Sequence, residues 1–356
     1  MQIQKTGLTL KDPRATPGFT LFAPLAADDV YLLDMDGRVA HQWRIPGRTG
    51  NKVELLPNGN LLSAEKADKE GRSHREELRL IGEYDWEGRC VRQVRAPAQH
   101  HDFTCLPNGN ILYIGFERFT EESKRRLRGG IPASEMKDGS VLGDYIREVA
   151  PDGSTVWEWH AQQDMEIENY PLHPLNSREE FSHANSLFAL PDGGVLVSFR
   201  RSSWLFIIDR ATRKVRWQMQ DDNWGGQHDA QMLPNGNLLF FANGHHAPSG
   251  GVPYSRVIEL DPATGAEVWS YEGSPRWSFF SPHISGVQRL WSGNTLICEG
   301  LWGRLFEVTP GGDIVWEYVS PYFDLQPTGG GGNGNWVFRA LRYAPDSVQI
   351  GGRLRL

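Results

Sequence analysis

Ala230-Gln231-Met232-Leu233-Pro234-Asn235-Gly236-Asn237-Leu238-Leu239-Phe240-Phe241 reads as two short apolar strands folded back on a tight turn. The Pro-Asn-Gly-Asn step sets the turn, because glycine accepts the left-handed backbone that the reversal needs. The pattern returns at Val53–Leu62, Phe103–Ile114, Leu187–Phe199 and Val287–Glu299, and in worn form at Arg339–Ser347. A second hairpin alternates with it and ends near a tryptophan: Val30…Trp43, Gly82…Val94, Ile146…Trp159, Leu205…Trp217, Val257…Trp269 and Leu305…Trp316. Four strands per unit, six units and almost no helical period predict an all-β chain, a six-bladed β-propeller.

The chain opens on an outer hairpin and ends on an inner one, so the last blade is expected to be closed by N-terminal strands. The blades fall near 48–98, 99–161, 180–220, 225–273, 280–320, and 335–347 together with 18–46, in a single domain over 1–356. Gln349–Leu356 is a candidate outer strand. Packing between blades accounts for the 13 tryptophans.

The 356 residues carry a net charge of −7, with no basic tract or Lys/Arg stripe, so nucleic acid is not an expected partner. No run approaches the ~18 apolar residues of a membrane helix. The opening residues Met1–Thr6 lack the apolar core of a secretory signal. Cys90, Cys105 and Cys298 are odd in number and far apart, which fits reduced thiols. Together these features give a cytoplasmic location as the expectation.

The tight turns share one rim of the ring. The other rim carries variable connections: Arg118–Asp144, a charged candidate lid with room for a short helix; His160–Phe181; Asn243–Tyr254, with His245 and His246; and Tyr322–Asn335, with the connector Gly329–Gly332. Binding sites favour such loops on a rigid scaffold.

Four histidines stand just before the inner strands of blades two to five. His101 and His228 precede their turn prolines by six residues; His183 and His283 precede Pro191 and Trp291 by eight. A strand period of two gives all four the same facing, toward the channel. The matching positions are Asn51 in blade one and Arg339 in blade six. Where the second strands end stand Glu65, Glu117, Arg200, Asn243 and Glu299. His100, His245 and His246 are possible accessories.

Two chemistries suit this ring. In the first, imidazole and guanidinium groups hold an oxyanion and one neutral imidazole acts as nucleophile; no cofactor is needed. In the second, His101, His183, His228 and His283 bind one transition metal (Fe, Mn, Cu or Zn), with Glu65, Glu117 and Glu299 behind them. That would suit an oxygenase, lyase or hydratase. A third possibility is a non-catalytic binding propeller whose polar side chains line a wet channel.

Phe181-Ser182-His183-Ala184-Asn185-Ser186, with Leu190–Gly194 and Ser198-Phe199-Arg200, resembles the arylsulfotransferase family. So do Gln227-His228-Asp229-Ala230-Gln231, Leu233–Asn237 and Phe241-Ala242-Asn243-Gly244. The resemblance spans roughly residues 25 to 320 and is most specific in blades three and four. It implies a six-bladed propeller that moves sulfate between phenols through a sulfated histidine, without a nucleotide donor. Carried over, His228 is the nucleophile. His101, His183 and Arg200 hold the sulfate, supported by Asn185; the ring positions, not the resemblance, add His283, Arg339 and Asn243 as candidate substrate contacts. The implied partner is a small phenolic molecule, expected against Trp224, Trp277, Phe279 or Trp302. The extra histidine, His283, keeps the metal reading open; four histidines with carboxylates behind them are reminiscent of the carotenoid cleavage oxygenases, by analogy of site alone.

Overall fold

Turn chemistry and period-two patterning produce six antiparallel sheets, the blades of a six-bladed β-propeller. The computed structural model describes residues 5–25, 27–46, 49–66, 78–247, 251–323 and 334–356. Gly329–Gly332 lies outside them.

Blade one runs through Thr49–Leu55, Leu61–Lys66, Leu78–Tyr84 and Cys90–Pro97. Blade two contains Gln99–Cys105, Ile111–Arg118, Leu142–Val149 and Thr155–His160. Blade three contains Ala184–Ala189, Val195–Phe199, Trp204–Ile208 and Val215–Gln220. Blade four contains His228–Met232, Leu238–Ala242, Arg256–Leu260 and Glu267–Glu272. Blade five contains Gly286–Arg289, Thr295–Glu299, Arg304–Val308 and Ile314–Val319. Blade six joins Val337–Tyr343 to Phe19–Pro24, Asp29–Leu33 and Val39–Arg44, which is the closure by N-terminal strands.

The extra outer strand comes from the opposite end of the chain to the one expected. Gly7–Lys11 adds a fifth strand to blade five along Ile314–Val319. Gln349–Leu356 forms turns instead, with Ile350 anchored in an apolar cluster beside Phe19 and Trp43.

The chain divides into two compact units. One comprises Met1–Ala67, Leu80–Gln93 and Phe279–Leu356; the other comprises Asp68–Arg79 and Val94–Ser278. In the first unit, indole N–H groups tie one blade to the next. Trp43 Nε1 donates to the Asp85 carbonyl at 3.0 Å, and Trp316 Nε1 to that of Met35 at 3.0 Å. The fully buried Arg342 pairs with Glu307 and donates from Nε to Thr20 Oγ1 at 3.0 Å, so the charge enters the core with its partners.

The second unit repeats the indole device: Trp159 reaches the Arg213 carbonyl at 3.2 Å and Trp217 that of Pro262 at 2.9 Å. Its inner strands are also stitched by buried polar side chains. Asp102 Oδ2 accepts from Leu187 N at 3.0 Å, and Ser186 Oγ from Ala230 N at 3.1 Å. Trp159, Phe181, Phe199 and Phe206 are fully buried in one cluster between blades two and three. Each such side chain contributes about 1.5–3 kcal/mol by leaving water.

The connection after Arg118 holds the helix Glu121–Arg126, capped by Thr120 Oγ1, which accepts from Ser123 N at 3.2 Å. It is pinned rather than loose. Arg126 Nη2 donates to the Met165 carbonyl at 3.0 Å, and Leu172 N bonds the Arg128 carbonyl at 3.0 Å. Among the described residues, no helix is long and apolar enough to cross a membrane. None of the three cysteines forms a disulfide.

Candidate functional site

Three of the four histidines, with Arg200, meet inside the second unit. Equal spacing does not put them there by strand parity. Bulges interrupt the first two strands of blades two, three and four, opposite Tyr113/Gly115, Ser198/Phe199 and Leu239/Phe241. A bulge bends its strand and re-aims the side chains. His101 (φ 55°) and His183 (φ 55°) are themselves in the left-handed region, whereas His228 and His283 each precede such a residue, Asp229 (φ 54°) and Ile284 (φ 54°). Non-glycine residues there are strained, and the fold holds them.

His228 is buried at 1% exposure. Its Nδ1 lies 3.0 Å from the Gly226 carbonyl oxygen and 2.7 Å from Asn243 Oδ1. A carbonyl only accepts, so Nδ1 carries the proton and the basic lone pair is on Nε2. Blade three holds the preceding peptide: Asn185 Nδ2 donates to the Gln227 carbonyl at 2.8 Å, and Ser198 Oγ at 3.1 Å. Asn185 and Asn243 thus hold the backbone and the ring of His228 from opposite sides of the sequence.

His101 and His183 face each other, with their Nε2 atoms 3.1 Å apart. On their far sides, His101 Nδ1 lies 2.7 Å from His100 Nδ1, and His183 Nδ1 bonds Glu180. His100 stacks on Phe116 at 3.5 Å between ring centres. Burial, then the neighbouring histidines and Arg200, push His101 well below the usual imidazole range. Burial also lowers His183, against the pull of Glu180. Both rings are therefore neutral near pH 7.

Arg200 sits just past the second strand of blade three, in a single 3-10 turn. Burial first, then Arg201, lowers its guanidinium to about 10, so it stays cationic at neutral pH. Its Nε is buried and has no hydrogen-bond partner among the described residues. Arg201, by contrast, is tied to Ser177 and lies 3.4 Å from Glu180. A half-buried cation whose buried Nε lacks a partner is costly unless an anion arrives. Arg200 also lines a shallow open cleft with His173, Arg201, Asp222, Gly226, His245 and His246. Neutral imidazoles beside an open guanidinium suit a tetrahedral anion together with a nitrogen nucleophile.

The other expected residues have partners of their own. His283 belongs to the first unit, where its ring meets Trp336 edge-on at 5.2 Å. Arg339 is in the same unit, with its guanidinium 5.4 Å from the Phe338 ring. The three glutamates have other partners: Glu65 takes Tyr84 and Gln93, Glu117 takes His160 at 3.0 Å, and Glu299 takes Phe280 N and Arg304. The carboxylates that do reach this cluster are Glu180, on His183, and Asp144, on His100. A parallel bridge between Leu142 and Glu180 brings both to the site. Nothing periodic marks them; only the three-residue step from Glu180 to His183 is a local clue. Among the described residues, no group of three or more His, Cys, Asp or Glu could hold a metal ion. Of the aromatic candidates, Trp224 (2% exposed) and Phe279 (1%) are core residues, while Trp277 and Trp302 are exposed.

The fold is shared with a solved structure. A protein of unknown function from Bacteroides caccae matches with a TM-score of 0.57 at 14% identity, over 92% of this chain and 99% of that one. Virginiamycin B lyase from Staphylococcus aureus matches with a TM-score of 0.46 at 12% identity, over 88% and 85%. No curated protein matches the sequence. The arylsulfotransferase (ASST) family model matches residues 81–321, more than half the chain and the whole stretch that builds this site. The chain belongs to the arylsulfotransferase family.

Proposed function

We propose that the protein transfers a sulfuryl group between phenols through His228. The observation that carries the reading is the fixed tautomer of His228, with Nδ1 held by the Gly226 carbonyl and Asn243. Its Nε2 attacks the sulfur of an aryl sulfate; the N–S bond forms as the S–O bond to the phenolate breaks. Arg200 takes the charge on the sulfuryl oxygens, as a guanidinium does best with two parallel N–H bonds. Because Nδ1 donates to a carbonyl and an amide and not to a carboxylate, it keeps its proton. The sulfated ring therefore remains cationic, which keeps the N–S bond labile. The acceptor phenol then attacks sulfur, the N–S bond breaks, and the phenol proton passes to the Nε2 pair of His101 and His183.

The test is p-nitrophenyl sulfate with phenol as acceptor, with mass spectrometry of the enzyme quenched in the absence of acceptor. The reading expects p-nitrophenol release that depends on phenol, and one sulfuryl group on His228. Turnover by His228→Ala at the parent rate would end it.

A further inference from the structure

Five groups form a row across this site. Asp144 Oδ1 lies 3.1 Å from His100 Nε2, His100 Nδ1 2.7 Å from His101 Nδ1, and His101 Nε2 3.1 Å from His183 Nε2; His183 Nδ1 then bonds Glu180. The ends are carboxylates, and a carboxylate accepts only. That favours one direction for every proton between them.

From one end, Glu180 draws the proton of His183 to Nδ1 and leaves its lone pair on Nε2. From the other, Asp144 draws the proton of His100 to Nε2. This contact is close but off the line of the N–H bond, so it acts as charge more than as a directed hydrogen bond. Asp144 is fully buried, and its second oxygen is taken by Ser182 Oγ at 2.7 Å and Ala184 N at 3.0 Å, so the carboxylate cannot turn away. His100 Nδ1 is then an acceptor, and His101 must donate to it from Nδ1. The lone pair of His101 is left on Nε2, opposite that of His183. Two lone pairs converge on one point, where a single proton satisfies both.

We propose that His100, oriented by Asp144 and stacked on Phe116, is a positioning residue for sulfuryl transfer. It selects the tautomer in which His101 and His183 jointly receive the proton of the acceptor phenol. His100 touches neither substrate nor sulfur; it acts through His101. The inference rests on the sulfuryl-transfer reading above and concerns only the half-reaction that needs a base.

The experiment separates the two half-reactions in His100→Phe and His100→Gln. Phenylalanine keeps a ring on Phe116 but offers nothing to His101. Glutamine offers an amide oxygen to accept from His101 and an amide N–H for Asp144. Sulfation of the enzyme by p-nitrophenyl sulfate, read as the p-nitrophenol burst, releases an acidic phenol that needs no proton; it should change by less than about threefold in either variant. Transfer from the sulfated enzyme to phenol, with a pKa near 10, should fall in His100→Phe by about 10²-fold, the lower range for a lost general base. Transfer to more acidic phenols should fall progressively less, and His100→Gln should regain most of the loss. An equal fall across both half-reactions and all acceptors, or a folded His100→Gln as slow as His100→Phe, overturns the proposal. The parent enzyme gives a second test without substitution. Nitrogen-15 NMR of labelled histidine should find the His101 proton on Nδ1; a proton on Nε2 overturns it. Normal turnover by His228→Ala would defeat the underlying reading instead.

Discussion

Blades four and five start from the same backbone and end in different chemistry. In each, a histidine stands one residue before a left-handed position, Asp229 or Ile284. In blade four the second strand is followed by Asn243, which accepts from His228 Nδ1. In blade five it ends at Glu299, which is occupied by Phe280 N and Arg304. His283 meets an indole ring where His228 meets a carbonyl. The repeat places an imidazole; the neighbours decide what it can do.

The strongest way to break this comparison is to remove both rings in turn. His228→Ala should lose at least about 10⁴-fold in kcat for p-nitrophenyl sulfate, as expected for a nucleophile. Arg200→Lys keeps a charge but loses the planar fork, and a fall of about 10²-fold in kcat/KM is expected. Asn243→Asp gives blade four a carboxylate at the strand end, as in blade five. A carboxylate beside Nδ1 stabilises the cationic sulfated ring, so turnover should slow about tenfold while sulfated enzyme accumulates in mass spectra.

The lowered values of His101 and His183 also make a stability prediction. Between the folded value and the unfolded value near 6.5, the unfolded chain binds more protons. Their contribution is therefore complete above about pH 6.5 and is lost as pH falls toward the folded values. Thermal midpoints measured from pH 8 to pH 5 should drop on the acid side, and His101→Gln should flatten that drop. The smallest effect belongs to His283→Ala, with kcat within about twofold of the parent, as for a residue that binds no transferring group. A His283→Ala loss as large as that of His228→Ala would erase the distinction between the blades.

Much of this was legible in the sequence because repeats are. The turns, the alternating strands and the closure of Val337–Tyr343 on Phe19–Pro24 follow from local chemistry that any copy reveals. His101, His183, His228 and Arg200 were legible for the same reason. Glu180 and Asp144 were not, since each occurs once: Asp144 stands in the third strand of blade two, and a bridge from Leu142 of that strand brings Glu180 beside it. Nor could spacing reveal the bulges. His101 and His228 stand equally far from their prolines, yet one is left-handed and the other precedes a left-handed residue. Nor could the sequence separate the buried Trp224 and Phe279 from the exposed Trp277 and Trp302, because aromatic residues serve cores and binding sites alike.

The N-terminal segment is shared between two blades: Gly7–Lys11 edges blade five, and Phe19–Pro24 lies inside blade six. Its partners Ile314–Val319 and Val337–Tyr343 lie about 300 residues later in the chain. During synthesis, blades two to four can pair hairpin by hairpin as they emerge, at low loop-closure cost. Blade six waits longest, because Phe19–Pro24 gains its inner neighbour only when Val337–Tyr343 has been made. Until then Phe19–Pro24 pairs with Asp29–Leu33 on one side alone, and its other side is an open edge that a second chain could fill.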